Sequence, residues 1–420
     1  MFSRDAISLF GLIIGLSVLS IFIFSEPPEG LSKIGWLTAG VALLMTIWWI
    51  TEAIPIYLTG IIPLILFPIF NIFDLKLVAS SYAHPLVLLF LGGFIIASAM
   101  EACGLHKRIA LNILSLSGTS PSKIIAGFMI ATAFISMWVS NTASTIMMLP
   151  IAVSVITIFS NQPNIRNENF AIPLLLAIAY SASIGGASTL IGTPTNIMLS
   201  SILSDSYNYE ISFLDWLLIG LPVAIFLLPT VWFFLTNISF NVSKKKSNAL
   251  ERTIQEMRGE IGSPSFTEKI VATVFFLTAT FWVLRRSLNE IFNLNLNDTS
   301  IGLLGALLLF LIPTSKTTRA CNWETANKIP WGILLLVGGG IALSKAFNSS
   351  GLAIWIGEFS NYFYGYNIYL LIFIAVALII YLTELNSNTA TVATFMPILI
   401  IFAISINQNP LFFVIPATIA

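Results

Sequence analysis

The sequence predicts an all-α polytopic membrane protein built on an inverted-topology repeat with two re-entrant helical hairpins and broken membrane helices. Three observations predict it. Of 420 residues, 57% are hydrophobic and 9% charged, where soluble domains carry about 25% charged residues. Apolar runs of crossing length follow one another through short polar joints; a span needs roughly 20 apolar residues, so on the order of ten fit. Finally, a set of landmarks recurs at one constant offset. Mean hydropathy of +0.92 and 32 Phe exclude a single soluble core and a disordered chain. Lys+Arg equals Asp+Glu at 19 each, so no basic face exists for nucleic acid. Cys103 and Cys321 lie far apart and His84 and His106 are the two histidines, too few for a thiolate or multi-histidine metal centre.

The first run covers residues 6–25. Arg4 precedes it, as in a signal peptide, but no small-x-small cleavage site follows and the next run starts within ten residues. Further runs cover about 34–50, 54–73, 82–103, 124–158, 170–202, 213–240, 269–288, 299–313, 331–349, 351–380, 383–406 and 410–420. Three are interrupted. Trp138-Val139-Ser140-Asn141-Thr142 breaks 124–158, Asn386-Ser387-Asn388-Thr389 breaks 383–406, and Gly185-Gly186 and then Gly192-Thr193-Pro194-Thr195-Asn196 break 170–202. Irregular backbone at membrane depth is tolerated where protein buries it or where it lines a cavity, which makes it a pointer to a binding site.

Basic residues set the orientation. The polar segment 241–268 carries Lys244, Lys245, Lys246, Arg252 and Arg258 and is expected on the cytoplasmic side. With 124–158 and 383–406 as hairpins, Arg4, His106-Lys107-Arg108, Lys123, Arg166, Lys316, Arg319 and Lys328 fall on that side too. Lys33, Lys76, Lys345 and Arg285-Arg286 fall opposite, with the acidic 201–215 loop; Arg285-Arg286 is the exception to the rule. Trp48-Trp49 and Trp331 read as interfacial aromatics.

The repeat is explicit. Gly92-Gly93 recurs as Gly339-Gly340, Ser140-Asn141-Thr142-Ala143 as Ser387-Asn388-Thr389-Ala390, and Pro150 as Pro397, each 247 residues later. Three landmarks in register point to duplication, and the two copies enter from opposite sides in the span count. That symmetry is expected to bring the two Ser-Asn-Thr motifs face to face near the midplane.

Each tip offers hydroxyls, an amide and the free backbone groups of a helix break. Free N–H groups and the helix dipole attract anions; carbonyl and side-chain oxygens attract hard cations. Ser136 and Thr383 each precede a tip serine by four residues and share its helix face. Interhelical hydrogen bonding by small polar residues is the plainer alternative for one such motif; two in register, each before a proline, favour binding. The Gly192–Asn196 segment is a proline kink or a second polar break. Glu52 and Glu101 sit near span ends, and Glu384 is a hairpin anchor or a proton carrier. The 334–340 run LLLVGGG is no phosphate loop, because no Gly-Lys-Ser/Thr follows. No Lys or Arg lies within ten residues of either tip. A carboxylate held there needs another counter-charge, which argues for a co-bound sodium ion or proton and hence for coupled transport.

With these segments in view, the chain resembles the divalent anion/sodium symporter family, the sodium-coupled di- and tricarboxylate transporters. The resemblance rests on WWITEAIPIYLTGIIPLILFPIF (48–70), LFLGGFIIASAMEACGL (89–105), SNTAST (140–145), GGASTLIGTPTN (185–196) and TELNSNTATVATFMP (383–397). It implies a multi-pass, homodimeric carrier of the cytoplasmic (inner) membrane with scaffold and transport domains moving elevator-like, with no enzyme activity, no cofactor, and sodium as a co-transported ligand. It implies one sodium site at Ser136, Ser140, Asn141 and Gly192 and a second at Thr383, Asn386 and Asn388. Substrate would meet Ser140, Asn141, Thr142, Ser387, Asn388 and Thr389, with Thr193 and Pro194 nearby. Expected divisions are first-repeat scaffold helices over 1–123, first hairpin and broken helix over 124–202, a span and cytoplasmic linker over 203–268, second-repeat scaffold helices over 269–350, and second hairpin with the start of a second broken helix over 351–420. The family carries a second Thr-Pro-x-Asn segment beyond a stretch like Val414–Ala420, so the given chain reads as truncated there. The expected activity is sodium-driven uptake of C4-dicarboxylates (succinate, malate, fumarate). Alternatives are a citrate, sulfate or other oxyanion carrier or an exchanger on the same scaffold, a passive channel, or an intramembrane enzyme, which lacks HExxH and paired acids here.

Overall fold

The structure, a computed structural model, describes residues 4–160, 168–246, 248–315, 317–359, 363, 365–385 and 387–420. Arg166, Lys316 and Asn386 therefore lie outside the described residues. The fold is 79% helix, with no strand among the described residues, as the composition predicts. Among the described residues, eight helices are long and apolar enough to cross a membrane: Arg4–Phe24, Lys33–Thr51, Leu75–Ala102, Phe170–Ala187, Phe213–Ser239, Phe266–Phe292, Trp331–Ser349 and Asn388–Ser405. Local chemistry fixes their ends. Ser212 with Asp215 and Ser265 with Glu268 form reciprocal capping boxes, and Glu52 and Asn293 close helices in the left-handed conformation.

Several boundaries differ from the sequence expectation. The 54–73 run is not one span but two short helices, Ile56–Thr59 and Ile62–Ile69. Pro55 and Pro63 cannot donate backbone hydrogen bonds, so each starts a new segment. The 351–380 run likewise divides into Leu352–Phe359 and Ile368–Leu385. Gly365 has φ +90 between them, and Asn367 Oδ1 accepts the Tyr369 N–H at 2.9 Å to start the next helix. The leg leading to the second break is therefore Ile368–Leu385. Two further helices, Leu105–Ser117 and Asn248–Ile261, carry too many polar residues to stand out as apolar runs. Trp49 is fully buried and donates Nε1–H to Ile56 O at 3.0 Å; it is a core residue, not the interfacial aromatic expected.

Two compact units emerge, one of residues 1–88, 194–211 and 330–420, the other of 89–193 and 212–329. In the first, Trp331–Ser349 packs against Ile56–Thr59, Leu75–Tyr82, Pro194–Tyr207 and Asn388–Ser405. Its triple glycine permits this. A methyl group at Gly338 would lie 2.5 Å from Tyr82, at Gly339 2.2 Å from Gly60 O, and at Gly340 2.8 Å from Met198. In the second unit, Pro121–Ser136 packs against Glu168–Ala187 and Leu105–Ser117. There a methyl at Gly92 would lie 2.7 Å from the Gly302 backbone. The repeat landmarks thus do one job in both copies: Gly92 of the first copy meets Gly302 of the second, and Gly339 of the second meets Gly60 of the first. Small residues at helix crossings allow such backbone approach.

Ion pairs join segments that the span count assigned to a common side. In the first unit Arg4 pairs with Glu52. In the second, Arg108 pairs with Glu268 at 2.7 Å and donates to Gly262 O at 2.9 Å. The exceptional Arg285 and Arg286 are neutralised: Arg285 lies 3.2 Å from Asp298 and Arg286 2.7 Å from Asp215. Asp298 Oδ2 also accepts the Phe213 N–H at 2.9 Å.

Gly339→Ala and Gly92→Ala each lower thermal stability in detergent, by about 1–3 kcal/mol as for overpacked cores. Gly259→Ala, in an open helical position with nothing within 4 Å of its added methyl, leaves stability unchanged or raises it. Melting curves of the three variants check this.

Candidate functional site

Helix Pro121–Ser136 ends at the first break and Asn141–Ser160 starts beyond it. Sixteen residues make about 24 Å of helix, short of the roughly 30 Å hydrocarbon core. Ser140 caps the new helix. Its carbonyl accepts the Ser144 N–H at 2.9 Å and its hydroxyl the Ala143 N–H at 3.4 Å. The second break repeats the geometry, with the Ser387 carbonyl accepting the Thr391 N–H at 3.0 Å. Helix starts leave backbone N–H groups without intrahelical partners, so both tips carry the partial positive charge that favours anions.

Around the first tip the chain brings oxygens together. Ser136, fully buried, sends its hydroxyl to Ala182 O at 2.6 Å and stands 3.0 Å from Asn141 Oδ1. One hydroxyl has one proton, so Ser136 cannot donate fully to both oxygens at once. Glycines make the convergence sterically feasible. A methyl at Gly186 would fall 2.0 Å from Asn141 Oδ1; one at Gly192 would fall 2.4 Å from Gly186 O and 2.9 Å from Ser136 O. Gly185 allows the helix behind to approach Ala133 O, 2.2 Å from its own added methyl. Neutral carbonyl, amide and hydroxyl oxygens are the donor set of a hard cation. Among the described residues no group of three or more His, Cys, Asp or Glu gathers.

The structure thus joins Ser136, Asn141 and Gly192 and adds Gly186, which the sequence marked only as part of a helix break. Ser140 turns its hydroxyl to its own helix. Thr142 is exposed and Asn141 half-buried. Thr193 and Pro194 open the Pro194–Tyr207 helix, in which Thr195 and Asn196 are buried; the division between the two units falls between them. At the second tip Asn388 is exposed and Thr389 buried. Thr383 donates to Ile380 O at 2.9 Å in its own helix, and Glu384 is exposed.

A support that the sequence did not announce lies behind the first tip. Trp138 sets its ring edge to face with Phe275 (centroids 4.7 Å, 85°) and stacks on Phe213 (6.0 Å, 21°), which stacks on Trp282 (4.9 Å, 23°). Such contacts add about 0.5–1.5 kcal/mol each beyond area burial, enough to hold the break in one geometry.

A family model described as citrate transporter, CitMHS, matches residues 46–418. The chain is 39% identical to the sodium-dependent dicarboxylate transporter SdcS of Staphylococcus saprophyticus, over 98% of this chain and 81% of the relative. The proteins of the same name from Staphylococcus aureus strains USA300 and NCTC 8325 are 39% and 38% identical over the same shares.

Gly186→Ala pushes the Asn141 side chain out of the oxygen cluster. The expected outcome is that the rise in melting temperature on exchanging choline for sodium, present in the unsubstituted protein, disappears while the sodium-free melting temperature falls far less. Thermal-shift measurements in the two salts check it.

Proposed function

The chain belongs to the divalent anion/sodium symporter family, matching both the CitMHS citrate transporter model and the SdcS relatives, and we propose that it imports C4-dicarboxylates such as succinate, malate and fumarate together with sodium. The observation that carries this reading is the neutral oxygen cluster beside a capped helix start, with no basic residue within ten positions along the chain. Cation and anion then supply each other's counter-charge. Two opposite unit charges about 4 Å apart attract by about 4 kcal/mol at an effective dielectric near 20. A cation bound at Ser136, Asn141, Gly186 and Gly192 therefore raises affinity for a carboxylate at the tip, and by linkage the carboxylate raises affinity for the cation. That reciprocity is what couples the two fluxes.

In this reading Ser140, Asn141 and Thr142, with Thr193 and Pro194, receive one carboxylate. Ser387, Asn388 and Thr389 receive the other, and the second sodium site lies at Thr383, Asn386 and Asn388. The protein is a homodimer in the cytoplasmic membrane, each protomer moving its substrate elevator-fashion; it is a carrier rather than an enzyme. The description of the matching family favours citrate as the competing cargo.

Tracer succinate uptake into proteoliposomes is expected to rise with an inward sodium gradient and to vanish in Asn141→Ala and Asn388→Ala, both of which still reach the membrane. Unlabelled succinate, citrate, sulfate and glutamate, added in competition, rank the cargo. Sodium-independent uptake, or wild-type transport in either variant, defeats the assignment.

A further inference from the structure

The Pro194–Tyr207 helix begins at the polar break and is buried from Thr195 through Leu203. Apolar burial is non-directional, so it sets how closely this helix packs but only weakly where it stops along its axis. Directional contacts gather at the other end. Asp205, outside the 170–202 run, places Oδ2 2.9 Å from Lys345 Nζ and Oδ1 3.3 Å from His84 Nε2. Ser206 and Ser344 share a hydrogen bond at 3.3 Å, and the Tyr207 hydroxyl donates to Asn348 Oδ1 at 3.4 Å. Three consecutive side chains thus grip one partner helix, Trp331–Ser349, within a single compact unit.

His84 is held in one tautomer. Its Nδ1 accepts the Leu86 N–H at 3.2 Å, so the ring proton sits on Nε2 and points to Asp205. Burial pushes the Asp205 carboxyl up, but hydrogen bonds from His84 and Lys345, with the charge of Lys345, outweigh it and hold the carboxyl below the usual carboxylate range. A carboxyl depressed in the folded state loses its contribution only as pH falls through that low value. The contact is therefore closed throughout the neutral range and acts as a fixed anchor.

We infer that Asp205 is a positioning residue: clasped by Lys345 and His84, it sets the axial position of the Pro194–Tyr207 helix and so of the break that begins it. The kinetic part of this inference rests on the transport reading above. A rigid helix transmits a slip at one end undiminished to the other, and a displacement of about 1 Å at a binding group is costly.

The test compares wild type, Asp205→Asn, Lys345→Met, the double variant and Lys345→Arg. Sodium-driven succinate uptake is expected to show KM raised about tenfold in each charge-removing single variant, the scale of a lost hydrogen bond to a charged group, with maximal rate and membrane abundance little changed. The double variant is expected to match the singles rather than multiply them, and Lys345→Arg to stay within about twofold of wild type. Amide exchange of the 194–207 segment in detergent, without substrate, is expected to speed up in Asp205→Asn. Unchanged KM with unchanged exchange overturns the inference, as does multiplicative behaviour of the double variant or a loss of abundance alone. If wild type takes up no succinate, the transport reading fails while the exchange arm still decides the clasp.

Discussion

A helix that stops in a low-dielectric medium leaves donors and acceptors that must find partners, and the site follows from how this chain answers that demand. Ser140 and Ser387 satisfy part of it, each accepting the N–H four residues ahead. In the proposed reading the ligands answer the rest. On the acceptor side, the single Ser136 hydroxyl proton faces both Ala182 O and Asn141 Oδ1, with Gly186 close by. On the donor side, the starts of Asn141–Ser160 and Asn388–Ser405 carry their dipoles. In the proposed reading, a site made this way would hold ions with backbone and neutral side chains. It avoids the desolvation that buried charged residues would bring whenever the site is empty.

Charge is instead placed at the helix ends and balanced there. Arg285 and Arg286, which violate the expected distribution of basic residues, are each matched by an acid, Asp298 and Asp215. Arg108 with Glu268 and Lys345 with Asp205 follow the same pattern. Exposed pairs contribute little to stability, but partly buried ones fix which segment ends lie together.

The sequence was most legible where backbone chemistry is written into residue type. Serine before a helix start, proline within the following helix, and glycine at both repeat positions announced the breaks and the duplicated crossing, and all recur in the fold. The oxygen cluster was half legible: Ser136 and Asn141 stand near each other in the chain, whereas Gly186 reaches Asn141 only through the antiparallel packing of Pro121–Ser136 on Glu168–Ala187. Periodicity could not reveal where the Ser140 and Thr383 hydroxyls would turn: Ser140 accepts the Ala143 N–H and Thr383 donates to Ile380 O, each in its own helix. Hydropathy also hid what does not differ in hydropathy. The Pro55 and Gly365 interruptions sit inside apolar runs, and Leu105–Ser117 and Asn248–Ile261 are too polar to register as runs at all.

The exchange of glycine contacts between the two copies bears on biogenesis. Gly60 leaves the ribosome long before Gly339, so a close-fitting crossing must wait, uncovered, until the second copy follows. Domains that complete themselves locally can settle as they are synthesised; this one cannot. Its first copy enters the bilayer as an unfinished jigsaw that only the second copy completes, and the insertion machinery, or the lipid itself, must shelter that seam meanwhile.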